Sequence, residues 1–233
     1  MIWPIPGTRA AHAYLLQQPD GLIAIDAGYV GSDGAILRFM RSRGFRPEDL
    51  KWVVVTHHHV DHAGSAARLC AQTGAQLAIH AADAPYLASG RPRELMNLWG
   101  AIERLPARLA RFLLTVGGPI GRRLEDGDVL HGLRVIHTPG HTPGSICLYS
   151  EGESAIFVGD VLNNERGLRR PPWNVNHNHR QAQLAARHLL GLSYERAFFG
   201  HGAPIEREAS TAITRFVAQV APSGRSRRPP RPS

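Results

Sequence analysis

The residue types best suited to chemistry are concentrated in one short stretch, residues 56–62, which reads Thr-His-His-His-Val-Asp-His. An apolar run before it, 52–55, predicts a buried strand, and an alanine-rich stretch after it, 63–71, predicts a helix. A turn between a strand and a helix can direct several neighbouring side chains at one point, whereas a regular element sends them to different faces. Imidazole and carboxylate together suit zinc, and also iron or manganese. The candidate metal ligands of this stretch are His57, His59, Asp61 and His62.

Other aspartates and histidines also follow predicted strands, each beside a glycine or in a tightly shaped loop. They are Asp26, His141, Asp160 and His201. The loop that contains His141, residues 137–144, has two prolines and two glycines, which restrict its backbone and hold the imidazole in one direction. A single histidine after a strand is more often structural than a ligand. Loops at one edge of a layered α/β fold converge, however, so these positions together favour one shared site.

The elements that must position these residues follow from apolar periodicity. Strands are predicted at 11–17, 21–27, 52–55, 76–80, 129–136, 145–149, 155–158 and 197–199, and helices at 33–43, 63–71, 181–190 and 211–220. The opening β-β-α-β-α-β order predicts a mixed α/β fold whose sheet is covered by helices. Residues 85–121 break the pattern with apolar side chains at helical spacing, which predicts a helical insert that is either ordinary core or a roof over the site.

Length and composition indicate one substantial domain. The chain has 233 residues, 43% of them hydrophobic, and a formal net charge of +8. We expect a single domain over residues 1–220 and a disordered Pro-, Ser- and Arg-rich tail over 221–233. Basic residues of the folded part alternate with acidic ones, so no nucleic-acid partner is expected. The sequence has no apolar run of the ~20 residues that span a bilayer, and residues 1–10 do not resemble a signal peptide, so we expect no membrane partner and a cytoplasmic location.

The two cysteines are expected to be structural. Cys70 lies on the helix predicted after the histidine cluster, and Cys147 lies in a predicted strand. Neither has the spacing of a metal ligand, and we expect both to be buried thiols that pack as small apolar groups.

Taken in order, these residues resemble the metallo-β-lactamase-fold hydrolases, and among them the glyoxalase II-like branch. The resemblance extends from about residue 11 to residue 201. Its specific features are His57-x-His59-x-Asp61-His62, the His141 loop, Gly159-Asp160 and Gly200-His201-Gly202. It implies an αββα four-layer sandwich, with the helical insert around 85–121, and two metal ions at the edge between the sheets.

The resemblance also implies a role for each candidate. The first metal would be bound by His57, His59 and His141, the second by Asp61, His62 and His201, and Asp160 would bridge the two. Asp26 would hold a ligand in place by hydrogen bonding, and Asp61 and Asp26 are the carboxylates expected to take part in catalysis. His58 and Val60 would point away from the metals. His137, His177 and His179 lie near these loops and are either substrate contacts or exposed loop histidines.

The chemistry expected of this ligand set is hydrolysis. Three neutral imidazoles leave the full 2+ charge on a zinc ion, which lowers the pKa of a bound water to about 7. We therefore expect two zinc ions per chain, with iron or manganese as alternatives, and attack of a metal-bound hydroxide on a small ester, thioester or lactone. The expected partner is a small-molecule substrate, and a homodimer is left open.

Several alternatives on the same fold stay open. A mononuclear iron sulfur dioxygenase uses two histidines and one aspartate, which leaves the second set of ligands here unexplained. Nucleases of this fold usually carry extra nucleic-acid arms, non-catalytic members commonly lose ligands, and the commonest secreted β-lactamases lack a histidine at the position of His62. Glyoxalase II enzymes have a larger C-terminal helical region than the one that follows His201. Acyl-homoserine lactonases have a tyrosine where this chain has Asn163.

Overall fold

The computed structural model describes residues 1–89 and 117–220. The strands are β1 Ile2–Pro4, β2 Tyr14–Gln18, β3 Gly21–Ile25, β4 Leu50–Val55, β5 Gln76–His80, β6 Arg122–Leu124, β7 Val129–Leu130, β8 Leu133–His137, β9 Ile146–Ser150, β10 Ala155–Gly159 and β11 Arg196–Phe199. The α-helices are α1 Asp33–Ser42, α2 Val60–Ala63, α3 Ala66–Thr73, α4 Ala84–Ser89, α5 His179–Ala185 and α6 Ala209–Gln219. Short 3-10 turns occur at Pro47–Asp49, Trp173–Val175 and Ala186–Leu189.

The strands form two sheets. The first has the order β1-β2-β3-β4-β5-β6, and the second has the order β11-β10-β9-β8-β7. Strands β3 to β6 run parallel, as do β10 and β11, whereas the remaining neighbours are antiparallel. Parallel neighbours end at the same edge of a sheet. The residues that follow β3 and β4 are therefore close together, and so are those that follow β10 and β11.

The first sheet is buried on both faces. Along β3, Leu22 and Ala24 pack in the cluster that includes helical residues such as Ile36 and Leu69, whereas Ile23 packs in the cluster between the sheets. This alternation follows from the two-residue period of a strand. It also explains why the strand is continuously apolar, as is usual for parallel strands covered on both sides.

The remaining two layers complete the sandwich. The cluster between the sheets joins residues of the first sheet to Leu148 and Phe157 of the second. A third cluster covers the outer face of the second sheet, where Ile213 and Val217 of α6 pack with Phe199 of β11. Helices, sheet, sheet and helices thus form four layers, and the predicted αββα architecture is confirmed.

The structure differs from the sequence prediction in several elements. The single strand predicted over 129–136 is a hairpin of β7 and β8, in which His131 and Gly132 form a two-residue turn with φ of 46° and 78°. Positive φ at both central residues suits this hairpin, because its twist matches that of the strands. The helix predicted over 181–190 is α5 followed by a 3-10 turn, and the short strands β1 and β6 had not been predicted.

Other predictions are tested only in part. Most of the predicted insert, residues 90–116, and the tail 221–233 lie outside the described residues. The start of the insert is helical as predicted, in α4. Cys147 is buried as expected, whereas Cys70 is only partly buried and packs against the edge of the cluster between the helices and the first sheet. None of the helices in the described ranges is long and apolar enough to cross a membrane.

Candidate metal centre

The candidate residues lie just after strands or in one loop, and these segments meet at one place. Asp26 directly follows β3, and the stretch 57–62 follows β4. Asp160 follows β10, and His201 lies two residues after β11, while His141 lies in the loop between β8 and β9. Backbone hydrogen bonds connect these segments, among them Asp26 N to Val54 O at 2.9 Å and Ile146 N to Thr56 O at 3.0 Å. The loops predicted to converge therefore do so.

The backbone of the histidine stretch forms a tight helical turn. Helix α2 is a single turn whose N-cap is His59, so Asp61 and His62 lie on a tight helical turn directly after the strand. The close approach of His201's loop also depends on glycine. A Cβ at Gly200 would lie 2.4 Å from Asp160 Oδ1, which is closer than any real Cβ contact.

The side chains form three overlapping groups of candidate ligands. In each group the ligand atoms lie within 4.8 Å of one another. The groups are His57, His59 and His141; His57, His62 and Asp160; and Asp61, His62 and His201. All seven residues predicted as metal ligands therefore come together. Asp26 belongs to none of the groups.

The distances between these atoms fit a metal centre. His201 Nε2 lies 3.3 Å from Asp61 Oδ2 and 3.4 Å from Asp160 Oδ2. His141 Nε2 lies 3.5 Å from the same Asp160 oxygen. Two ligands on a tetrahedral zinc with bonds of 2.0–2.1 Å are about 3.3 Å apart. The spacing is thus that of atoms that share a cation, and Asp160 reaches both the first and the third group.

Buried polar atoms without hydrogen bonds test the fit independently. Among the described residues, these atoms include His57 Nε2, His62 Nε2, His141 Nε2 and Asp160 Oδ1. A buried polar atom without a partner costs about 1–3 kcal/mol. Four such atoms that face one another are explained by a cation that they would bind, so the donor set fits a metal.

The other ring nitrogen of three histidines is held by an oxygen. His62 Nδ1 lies 2.8 Å from Asp26 Oδ2, and His141 Nδ1 lies 3.0 Å from Asn176 Oδ1. His57 Nδ1 lies 3.1 Å from Thr56 Oγ1, which itself donates to Asp26. An Nδ1–H that donates to such an oxygen leaves the Nε2 lone pair directed at the metal.

Sequence reasoning missed Asn176 and Thr56. Asn176 lies in an irregular segment, 35 residues from the histidine that it contacts, and no pattern in the sequence connects the two. Thr56 directly follows β4 and precedes the cluster, so its position was the available signal. It is buried, and its hydroxyl connects the Asp26 carboxylate to the ring of His57.

The charge distribution differs across the metal-free site. Burial, followed by the charge of His62, holds the pKa of His57 well below its usual value, and burial with the charge of His59 lowers the pKa of His141 to about 4. Hydrogen bonds to Asp160 and Asp61 raise the pKa of His201 to about 9. At pH 7 the metal-free His57 and His141 are therefore neutral and able to bind a cation. His201 carries a proton that a cation would displace.

The pKa values of His62 and of the carboxylates are shifted by their mutual attraction. Burial opposes the charge of His62, but the charges of Asp160, Asp26 and Asp61 outweigh it and raise the His62 pKa well above its usual value. Burial likewise disfavours the charged form of Asp61, yet the nearby His62 and the hydrogen bond from His201 lower its pKa to about 2. His62 Nε2 faces Asp160 Oδ1 at 3.2 Å, so a proton or a metal ion is needed between them.

The remaining histidines of these loops have other surroundings. His58 is buried outside the three groups, and its Nδ1 lies 2.9 Å from Asp83 Oδ2. His137 stacks on His80, with ring centroids 4.0 Å apart, and its Nε2 lies 2.9 Å from Pro143 O. His177 and His179 are exposed. None of these four belongs to a candidate ligand group of the described residues.

Comparisons with known proteins agree with this geometry. The family model described as the metallo-beta-lactamase superfamily matches residues 6–201. The fold is similar to that of the metallo-beta-lactamase family protein TTHA1429 from Thermus thermophilus. The TM-score is 0.72 at 21% identity, and the match covers 94% of this chain and 78% of that one.

Curated relatives carry names of hydrolases. The chain is 28% identical over 217 residues to the probable metallo-hydrolase YflN of Bacillus subtilis (strain 168), with 84% of this chain and 82% of that protein covered. It is 31% identical over 174 residues to acyl-coenzyme A thioesterase MBLAC2 of Bos taurus, covering 67% of this chain and 59% of the relative. It is 33% identical over 133 residues to a hydroxyacylglutathione hydrolase of Cereibacter sphaeroides (strain ATCC 17023), covering 55% and 39%.

Proposed function

The chain is a hydrolytic enzyme of the metallo-beta-lactamase superfamily, and from that premise we propose that it cleaves a small ester, thioester or lactone at a centre of two zinc ions. The first zinc would be held by His57, His59 and His141, the second by Asp61, His62 and His201, and Asp160 would contact both. The observation that carries the proposal is the position of Asp160, whose Oδ2 lies 3.5 Å from His141 Nε2 and 3.4 Å from His201 Nε2. One carboxylate oxygen therefore lies between an imidazole of each set.

The chain's own residues prepare the centre for this chemistry. Bound zinc ions would supply a nucleophilic hydroxide at neutral pH and would polarise the substrate carbonyl. Asp26 accepts from the His62 ring and from Thr56, so one buried carboxylate orients two of the imidazoles, one directly and one through the threonine hydroxyl. Asn176 orients His141 in the same way from the other side. These partners keep the Nε2 atoms directed inward before any substrate arrives.

Among the three substrate classes, a thioester has the best support. A thiolate is a weaker base than the alkoxide of an ester or lactone and leaves without being protonated, whereas the amine of a β-lactam needs a general acid. The MBLAC2 relative of Bos taurus carries the name of a thioesterase, although the chain spans only 59% of its length. We therefore rank thioesters above esters and lactones, with β-lactams last.

The first experiment is the metal content of the purified chain, measured by mass spectrometry without added metal. About two zinc ions per chain support the dinuclear centre. One iron per chain would contradict it and would favour sulfur oxygenation, to be checked by oxygen consumption with a persulfide.

The activity test uses a panel of esters, thioesters, lactones and β-lactams. His59→Ala removes one imidazole of the first set, and we expect hydrolysis to fall by at least about 100-fold, since loss of a metal ligand removes the nucleophile. His188→Ala is the matched control, because His188 is exposed and belongs to none of the ligand groups. Unchanged hydrolysis by the His59 variant would refute the proposal.

A further inference from the structure

Asp83 is a buried carboxylate close to the centre that none of the roles above uses. It lies between β5 and α4 and is 0% exposed. A charged group at such a depth needs strong partners, because burial without them is costly. Its partners come from two segments that are distant in sequence, the stretch after β4 and the loop between β8 and β9.

On one side Asp83 holds the histidine stretch. The backbone N–H of His58 donates to Asp83 Oδ2 at 3.0 Å, and His58 Nδ1 lies 2.9 Å from the same oxygen. The His58 ring also stacks on Tyr86 of α4, with centroids 4.5 Å apart. His58 is flanked by two candidate ligands of the first group, His57 and His59, so these contacts constrain the backbone between them.

On the other side Asp83 holds the His141 loop. Thr142 Oγ1 donates to Asp83 Oδ2 at 2.7 Å, and the backbone N–H of Gly144 donates to Asp83 Oδ1 at 2.6 Å. The approach is so close that a Cβ at Gly144 would lie 2.7 Å from Asp83 Cγ. Thr142 directly follows His141, so the carboxylate constrains the third ligand of the first group as well.

We propose that Asp83 is a positioning residue that holds the two loops at the spacing at which His57, His59 and His141 converge on one metal ion. The proposal rests on the proposed function, because it assumes that this group binds a metal. The three imidazoles come from two segments about 80 residues apart in sequence. Asp83 forms a hydrogen bond to the residue next to a ligand in each segment, and it therefore joins the two segments beside the site.

The charge and the two acceptor oxygens both matter to this role. Two hydrogen bonds and the nearby His58 Nδ1 converge on Oδ2, and one hydrogen bond reaches Oδ1. In Asp83→Asn an NH2 group replaces one of these oxygens, and in either orientation of the amide it faces a backbone N–H that donates in the unaltered chain. At least one of the two loops therefore loses a backbone hydrogen bond to this side chain. The fold keeps its other contacts, including Ile146 N to Thr56 O.

The test is titration of zinc chloride into the metal-free full chain, in competition with a chromophoric zinc chelator. For Asp83→Asn we expect the affinity for one of the two zinc ions to fall by about tenfold or more, in the range that such outer partners contribute. The control is Asp33→Asn, which also removes a buried carboxylate, one bonded to Gln72 outside the centre. It should bind both zinc ions as the unaltered chain does, at a similar thermal stability.

The outcomes separate this inference from the proposed function. An unaltered chain that binds no zinc refutes the proposed function. If the unaltered chain binds two zinc ions, two results would refute the positioning role alone. One is that Asp83→Asn binds both zinc ions as tightly as the unaltered chain, and the other is that Asp33→Asn is weakened to the same extent as Asp83→Asn. If Asp83→Asn does not fold, Thr142→Val decides, because it removes one of the four contacts and keeps the charge. A measurable fall in the affinity for one zinc then supports the role, and an unchanged affinity overturns it.

Discussion

Replacement of Asp26 by asparagine should selectively weaken the half of the centre that contains His62. The Asp26 carboxylate is buried and accepts from Thr56 N at 2.8 Å through Oδ1, and it contacts His62 Nδ1 at 2.8 Å through Oδ2. In Asp26→Asn the remaining oxygen faces Thr56 N, because the opposite orientation would place two donors together. The NH2 group then donates to His62 Nδ1. The proton of the neutral ring moves to Nε2, which leaves no lone pair for the metal.

The size of this effect follows from what such a partner contributes. Loss of a carboxylate that orients a metal-binding histidine costs about 10–100-fold in metal affinity. At about 1.4 kcal/mol per factor of ten, this corresponds to roughly 1.4–2.8 kcal/mol of zinc-binding free energy. Asparagine also tolerates the φ of 58° at this position, so the backbone adds little strain of its own.

The assay is the same zinc competition at pH 7, with Asp33→Asn as the control for loss of a buried charge. We expect one zinc ion to be weakened in Asp26→Asn and neither in Asp33→Asn. The tautomer argument is refuted if Asp26→Asn binds both zinc ions with the affinity of the unaltered chain.

Two further predictions concern the metal-free site and its glycine. In the folded metal-free chain the pKa of His201 is about 9, above the value of 6.5 for an unfolded chain, so its ion pairs stabilise the fold fully below about pH 6.5. This stabilisation should be lost as the pH rises through 9, which urea unfolding at several pH values would show. The raised pKa of His62 adds a loss of the same sign, so His201→Gln should reduce the dependence without abolishing it, and an unchanged dependence would contradict the assignment. Gly200→Ala should lower zinc binding by at least about tenfold, because its Cβ would lie 2.4 Å from both Asp160 Oδ1 and His62 Cε1. Gly152→Ala, which meets nothing within 4 Å, is the matched control, and equal zinc binding by the two variants would refute the packing argument.

Local patterns were sufficient for much of the fold. The strands β3, β4, β5, β9, β10 and β11 lie within one or two residues of their predicted bounds, because each is a continuous apolar run between turn residues. The hairpin of β7 and β8 was predicted as a single strand. Its turn depends on His131 at positive φ, and histidine is not a residue whose presence predicts that conformation.

The candidate ligands themselves were determined by the sequence. Four of the seven lie within six residues of one another, and the other three each follow a strand or lie in a Pro- and Gly-rich loop. Such positions are recognisable because ligands adjacent in sequence must be held by a turn, and turns have a local composition.

Only the tertiary structure decided how these ligands are held. Asp83 joins His58 to Thr142 and Gly144, and Asn176 orients His141, across 25 to 61 residues of chain. The reach of Asp160 to both His141 and His201 likewise depends on how the loops of the second sheet meet. Contacts of this kind arise from the packing of two sheets, which determines the distance between loops but leaves no spacing rule in the sequence. The sequence therefore determined which residues are candidate ligands, and the packing of the sheets decided which partners orient them.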